Sequence, residues 1–142
     1  MPVEVFLDTA YAIALSSPQD QFHLRAIQLA EHLENSQAIL VTTRAVLVEI
    51  GNTLAKQRHR LAGVRLLRSL EADPGVEIVS LSDELYQRAL QLYRDRPDKE
   101  WGLTDCISFV VMQERGLYEA LTTDEHFQQA GFRALLREIT LP

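Results

Sequence analysis

The 142-residue chain has a single cysteine, Cys106. It therefore cannot form an internal disulfide or build a multi-cysteine metal site, and this usage fits a reducing compartment. Cys106 falls in an apolar stretch and is expected to be a small core residue. Histidine is also scarce. His23 and His32 lie nine positions apart on one amphipathic segment, a poor spacing for metal ligands, and no His/Cys set offers a zinc site. No apolar run is long enough to span a bilayer, and Met1-Pro2-Val3-Glu4 enters a strand-like run with no basic region before it. The expectation is a soluble, cytoplasmic protein with no membrane association. Neither a Gly-x-x-x-x-Gly-Lys loop nor a Gly-x-Gly-x-x-Gly fingerprint is present. No repeat, linker or low-complexity segment divides the chain, so residues 1–142 are expected to form one domain burying about 70% of its unfolded surface.

Positive charge is scarce overall, with a net charge of −6, which argues against general nucleic-acid affinity. It is nevertheless concentrated. Between Ser36 and Leu70 stand Arg44, Lys56, Arg58, Arg60, Arg65 and Arg68 against one acid, Glu49. Six bases less one acid leave a local +5. Such a face suits phosphates or an acidic partner, and equally a solvated helix pair.

Hydrophobic patterning alternates strands with helices. Strands are expected at Val3–Asp8, Ala38–Thr42, Val76–Leu81 and Glu119–Thr123, with an edge strand at Phe132–Leu136. Helices are expected over Thr9–Leu15, Phe22–Glu34, Arg44–Gln57, Leu61–Leu70, Ser82–Arg94, Trp101–Gly116 and Glu125–Ala130, with Gly131 closing the last. The Trp101–Gly116 segment lacks a polar face, which marks a buried helix. The alternation predicts an α/β fold with a mainly parallel sheet covered on both faces.

Four acids occupy the places where such a fold presents chemistry. Asp8 and Asp124 end predicted strands, and ligands of open parallel sheets bind beyond the carboxyl ends of strands. Glu49 shares a polar stripe with Asn52, Thr53 and Lys56 on one predicted helix. Asp105 stands in the first turn of the apolar helix, behind Thr104, an expected N-cap. Each acid alone reads equally as a cap or a solvated residue. Together they are separated by 41, 56 and 19 positions, compatible with one crevice. Clustered carboxylates oppose one another's ionisation. Mg²⁺ or Mn²⁺, which prefer oxygen ligands, resolve that repulsion and support in-line displacement at phosphorus. A haloacid-dehalogenase-like phosphatase would need a second Asp at position 10, which is Ala10. A response-regulator receiver would need adjacent acids after the first strand and a Lys after the last, and both are missing.

Four segments carry a resemblance. They are Phe6-Leu7-Asp8-Thr9, Val48-Glu49-Ile50-Gly51-Asn52, Trp101 through Phe109, and Leu121-Thr122-Thr123-Asp124-Glu125-His126-Phe127 with Gly131. In this order they resemble the motifs of PIN-domain proteins, close to the VapC-type ribonucleases of toxin–antitoxin pairs. The resemblance implies a five-stranded parallel sheet flanked by helices and a metal-dependent endoribonuclease site. Asp8 and Asp105 would hold Mg²⁺ or Mn²⁺ most directly, with Glu49 and Asp124 completing the pocket. Thr9, Thr104 and Thr122 would stand beside these ligands. It further implies a homodimer, an RNA substrate and a cognate antitoxin protein. Arg44, Lys56, Arg58 and Arg60 are candidates for RNA contacts. The competing expectation is a PIN-like RNA- or partner-binding module without turnover.

Overall fold

A computed structural model describes residues 3–138 of the chain. Strand β1 (Glu4–Leu7) is followed by helices α1 (Thr9–Ser16) and α2 (His23–Asn35), then β2 (Ile39–Thr43), α3 (Arg44–Thr53) and α4 (Gln57–Ala72). The chain continues through β3 (Val76–Val79), α5 (Asp83–Asp95), α6 (Leu103–Arg115), β4 (Glu119–Leu121), α7 (Glu125–Gln129) and β5 (Arg133–Ala134). The five strands form one wholly parallel sheet in the order β3-β2-β1-β4-β5. Val5, Phe6 and Leu7 of β1 are all buried, because a central parallel strand is covered on both faces. Phe6 is in register with Val41 on one side and Ala120 on the other. The connections leaving β1 and β4 therefore diverge around the centre of the sheet, where a crevice opens at the strand ends.

Helix α6 has the predicted character, with every residue from Cys106 to Met112 buried. Its C-cap is Gly116 at φ 67°, a left-handed conformation glycine adopts without a Cβ penalty. Phe109 meets Trp101 and Phe127 edge-on, with ring centroids 5.0 and 4.9 Å apart. That cluster seats the short α7 against the core. No helix among the described residues is long and apolar enough to cross a membrane.

Several expected boundaries are corrected. The helix bearing Glu49 stops at Thr53 rather than Gln57. Leu54 closes its last turn, and Lys56 is extended at φ −60°, ψ 146° before α4 begins. The break lets α4 fold back over α3, with Gly63 approaching Leu54 so closely that an added Cβ would lie 3.2 Å from the Leu54 Cβ. The polar stripe therefore ends at Thr53, and Lys56 belongs to the turn. Gly102, not Thr104, is the N-cap of α6. The edge strand shortens to Arg133–Ala134, after which Leu135 and Leu136 turn inward in a 3₁₀ turn. The outer strand β3 ends at Val79.

Candidate functional site

Asp8 follows β1 directly and is the N-cap residue of α1. Its backbone N–H donates to the Leu121 carbonyl at 3.2 Å, tying it to β4. Only 6% of the residue is exposed. The Thr122 hydroxyl donates to Asp8 Oδ2 at 2.8 Å and accepts from the Asp124 N–H at 3.0 Å. One buried hydroxyl thus links two of the acids. Burial pushes the Asp8 carboxyl up to about 7, with the negative charges of Glu49 and Asp105 adding to it and hydrogen bonds from Thr122 and the Thr9 backbone opposing it.

Glu49 reaches the same place from α3, where the Thr9 hydroxyl donates to its Oε1 at 2.5 Å. Asp105 enters from the first turn of α6. Its Oδ2 accepts from the Gly102 N–H at 3.2 Å and from His126 Nδ1 at 3.0 Å. Burial holds its carboxyl above the usual range, and the Asp124 charge adds to this against the hydrogen bond from His126. Asp124 is the N-cap of α7, its Oδ1 accepting from the His126 N–H at 2.8 Å. The same oxygen lies 3.5 Å from His126 Nδ1.

Asp8 thus feels the charges of Glu49 and Asp105, Asp105 feels that of Asp124, and Asp8, Glu49 and Asp124 border one pocket. The structure places Thr9 and Thr122 on hydrogen bonds to acids. Thr104 differs, because among the described residues its hydroxyl bonds no acid, and its carbonyl accepts from Ser108 Oγ at 3.1 Å. A pocket of about 430 Å³ opens beside Asp8, Glu49 and Asp124, with Ile13 and Phe22 on its apolar side.

The sequence reading gives His126 no role, although its place two residues beyond Asp124 puts it beside a candidate acid. Its imidazole stands between Asp105 and Asp124, and ligand atoms of the three residues lie within 4.8 Å of one another. Burial opposes charge on this ring, but the hydrogen bond to Asp105 and the charges of Asp124, Asp105 and Glu125 prevail and raise its pKa.

The basic segment is less uniform than its sequence implies. Arg44 pairs with Glu71 at 2.8 Å, an acid just outside the counted stretch. Arg60 donates to the Ala55 carbonyl at 2.7 Å, and Arg58 Nε donates to His59 Nε2 at 3.1 Å. Lys56, Arg58 and Arg60 are exposed on the turn and first residues of α4.

The donor set is carboxylate oxygen with one imidazole nitrogen, and among the described residues no cationic side chain acts on the buried Asp8 carboxyl. Both observations fit a divalent cation rather than an organic cofactor. Asp105, Asp124 and His126 present ligand atoms close enough to hold one, whereas Asp8 and Glu49, expected among the ligands, lie outside that group and line the adjoining pocket.

The sequence profile of the PIN domain matches residues 5–133. The chain belongs to the PIN-domain family. Among characterised proteins it is 25% identical over 128 residues to the 23S rRNA-specific endonuclease VapC20 of Mycobacterium tuberculosis, in both the CDC 1551 and H37Rv strains. That match covers 90% of this chain and 95% of the relative. The crystal structure of Mycobacterium tuberculosis VapC20, described as a Sarcin-Ricin loop cleaving toxin, superposes with a TM-score of 0.79 at 24% identity. It covers 92% of this chain and 97% of that one, sharing the five-stranded α/β fold.

Proposed function

We propose that this protein is a metal-dependent endoribonuclease that hydrolyses RNA phosphodiester bonds and serves as the toxin of a toxin–antitoxin pair. The observation that carries the reading is the convergence of four acids from β1, α3, α6 and the β4–α7 turn, with Asp8 buried and bonded by Thr122. Membership of the PIN-domain family and similarity to a toxin endonuclease support it.

Asp8 and Asp105 would hold Mg²⁺ or Mn²⁺ most directly, with Glu49 and Asp124 completing the set. Such an ion supplies a nucleophilic water at neutral pH and stabilises the leaving oxygen of the displacement. The chain's own residues prepare that chemistry. Thr122 fixes the Asp8 carboxylate, Thr9 fixes Glu49, and the Gly102 N–H with His126 fixes one oxygen of Asp105. Carboxylates held in place by these bonds need not reorganise to receive a cation, which would be the group that stabilises the charge developing in the displacement. Lys56, Arg58 and Arg60 supply the attraction for phosphate that an acidic pocket lacks. Arg44 would join them only after leaving Glu71.

Residues 1–142 act in this reading as one nuclease domain in the cytoplasm, paired with a second copy and inhibited by an antitoxin protein. Pairing is supported by α4, in which only Gly63 is buried while Leu61 and Val64 are 61% and 41% exposed. The first substrates to try are 23S rRNA and a synthetic sarcin–ricin hairpin, given the target named for the relative.

The test is incubation of purified protein with these RNAs in Mg²⁺ or Mn²⁺ and in EDTA, followed by analysis of the product ends. Attack by water requires metal and leaves no 2′,3′-cyclic phosphate. Cleavage that persists in EDTA, or cyclic ends, would refute the mechanism. Metal and RNA binding without cleavage of any RNA tried would favour the binding module.

A further inference from the structure

His126 is the group in this crevice to which the four-carboxylate account assigns no chemistry beyond a hydrogen bond. Its Nδ1 is 3.0 Å from Asp105 Oδ2 and 3.5 Å from Asp124 Oδ1. Ligand bonds of about 2.1 Å place neighbouring ligands of an octahedral ion about 3.0 Å apart. The three side chains thus stand near the mutual separations of ligands that share one cation. Their arrangement is also built rather than incidental. Asp124 is fixed by bonds from its own N–H to Thr122 and from the His126 N–H to its Oδ1, and Phe127 is fully buried next to the imidazole-bearing residue.

We propose that His126 is a nitrogen ligand of the divalent cation, sharing it with Asp105 and Asp124, so that the centre prefers Mn²⁺ to Mg²⁺. The inference rests on the metal-nuclease reading and adds to it a ligand and a selectivity. Mn²⁺ shares with Mg²⁺ a preference for carboxylate oxygen, but as a softer first-row transition ion it accepts an imidazole nitrogen more readily than Mg²⁺ does. Ligation takes the neutral ring with its hydrogen on Nε2, and any proton on Nδ1 is released to solvent.

The experiment is pulsed EPR on the full-length protein loaded with Mn²⁺, with natural histidine, with ¹⁵N-labelled histidine, and as His126→Gln. Labelling leaves the fold untouched, which covers the case in which the variant misfolds. The expected result is a directly bonded ¹⁴N coupling that becomes ¹⁵N on labelling and vanishes in His126→Gln. Calorimetry should show Mn²⁺ affinity falling at least 10-fold in that variant, with Mg²⁺ affinity changing less. Mn²⁺ bound with oxygen couplings only, or a nitrogen signal that survives in His126→Gln, would overturn the proposal and leave the nuclease reading standing. His126 would then be a positioning residue for Asp105. Failure of the wild-type protein to bind Mn²⁺ at all would sink the metal-nuclease reading along with it.

Discussion

Asp8→Asn removes one charge from the most buried acid of the crevice while keeping an oxygen that can accept from Thr122. The Asp8 carboxyl rises from its ordinary value of 3.8 to about 7 in the fold. Between these values the folded protein holds a proton that the unfolded chain has released, so stability falls as pH rises. The contribution is fully present below about pH 4 and is lost as pH passes through about 7. Some three units at about 1.4 kcal/mol each set a ceiling of about 4 kcal/mol. Asparagine carries no such penalty. Without metal at pH 8, Asp8→Asn should therefore melt above wild type by up to on the order of 10 °C, and at pH 4 the two should melt together. Mn²⁺ at ten times its dissociation constant should add about 1.4 kcal/mol to wild type and little to the variant. Circular-dichroism melts in EDTA and in Mn²⁺ across pH 4–8 measure all of this. If Asp8→Asn is no more stable than wild type at pH 8 in EDTA, Asp8 does not carry a desolvated charge and the electrostatic argument fails.

Thr122→Val keeps the side-chain shape but removes the donor to Asp8 and the acceptor for the Asp124 N–H. Denaturant titration should show a loss of about 1–2 kcal/mol, and cleavage should slow more than that loss of folded protein explains. If three cations contact phosphates, single-strand binding should show a log–log salt slope near about −2. Gln at positions 56, 58 and 60 should flatten that slope and weaken all RNA sequences alike, because phosphate contacts carry no sequence information. An unchanged slope would assign the basic turn to an acidic partner or to solubility. Light scattering should report a dimer in the micromolar range, and a monomer at all concentrations up to the high micromolar would reject the pairing through α4.

Much of the sheet was legible because short apolar runs bounded by acids and turn residues are what a buried parallel strand requires. Asp8 directly follows β1 for that reason, whereas β4 stops at Leu121 and Asp124 caps α7 three residues beyond it; α6 is recognisable because Ile107 through Met112 offers solvent almost no polar face. The misplaced features depend on partners distant in the chain. The helix bearing Glu49 ends where Leu54 packs beside Gly63, a contact that local propensity does not encode. Arg44 is held by Glu71, 27 positions away, a pairing that the local sequence does not encode. Thr104 is a favourable cap by composition, but the helix begins two residues earlier, where the Gly102 N–H donates to Asp105. His126 reads locally as a polar residue in a helix start. Its inward direction follows from Phe127 locking α7 against Phe109.

If the acid cluster cuts RNA, its removal at Asp105 must show in the cleavage rate of Asp105→Asn on one RNA that the wild-type protein cuts in Mg²⁺ or Mn²⁺. Asparagine preserves the shape of the α6 first turn, so the variant should retain the wild-type circular-dichroism spectrum. The account predicts a loss of at least about 100-fold in rate, the scale expected when a preorganised group acting on the reacting charge is removed. A folded Asp105→Asn protein that cleaves at the wild-type rate would contradict it.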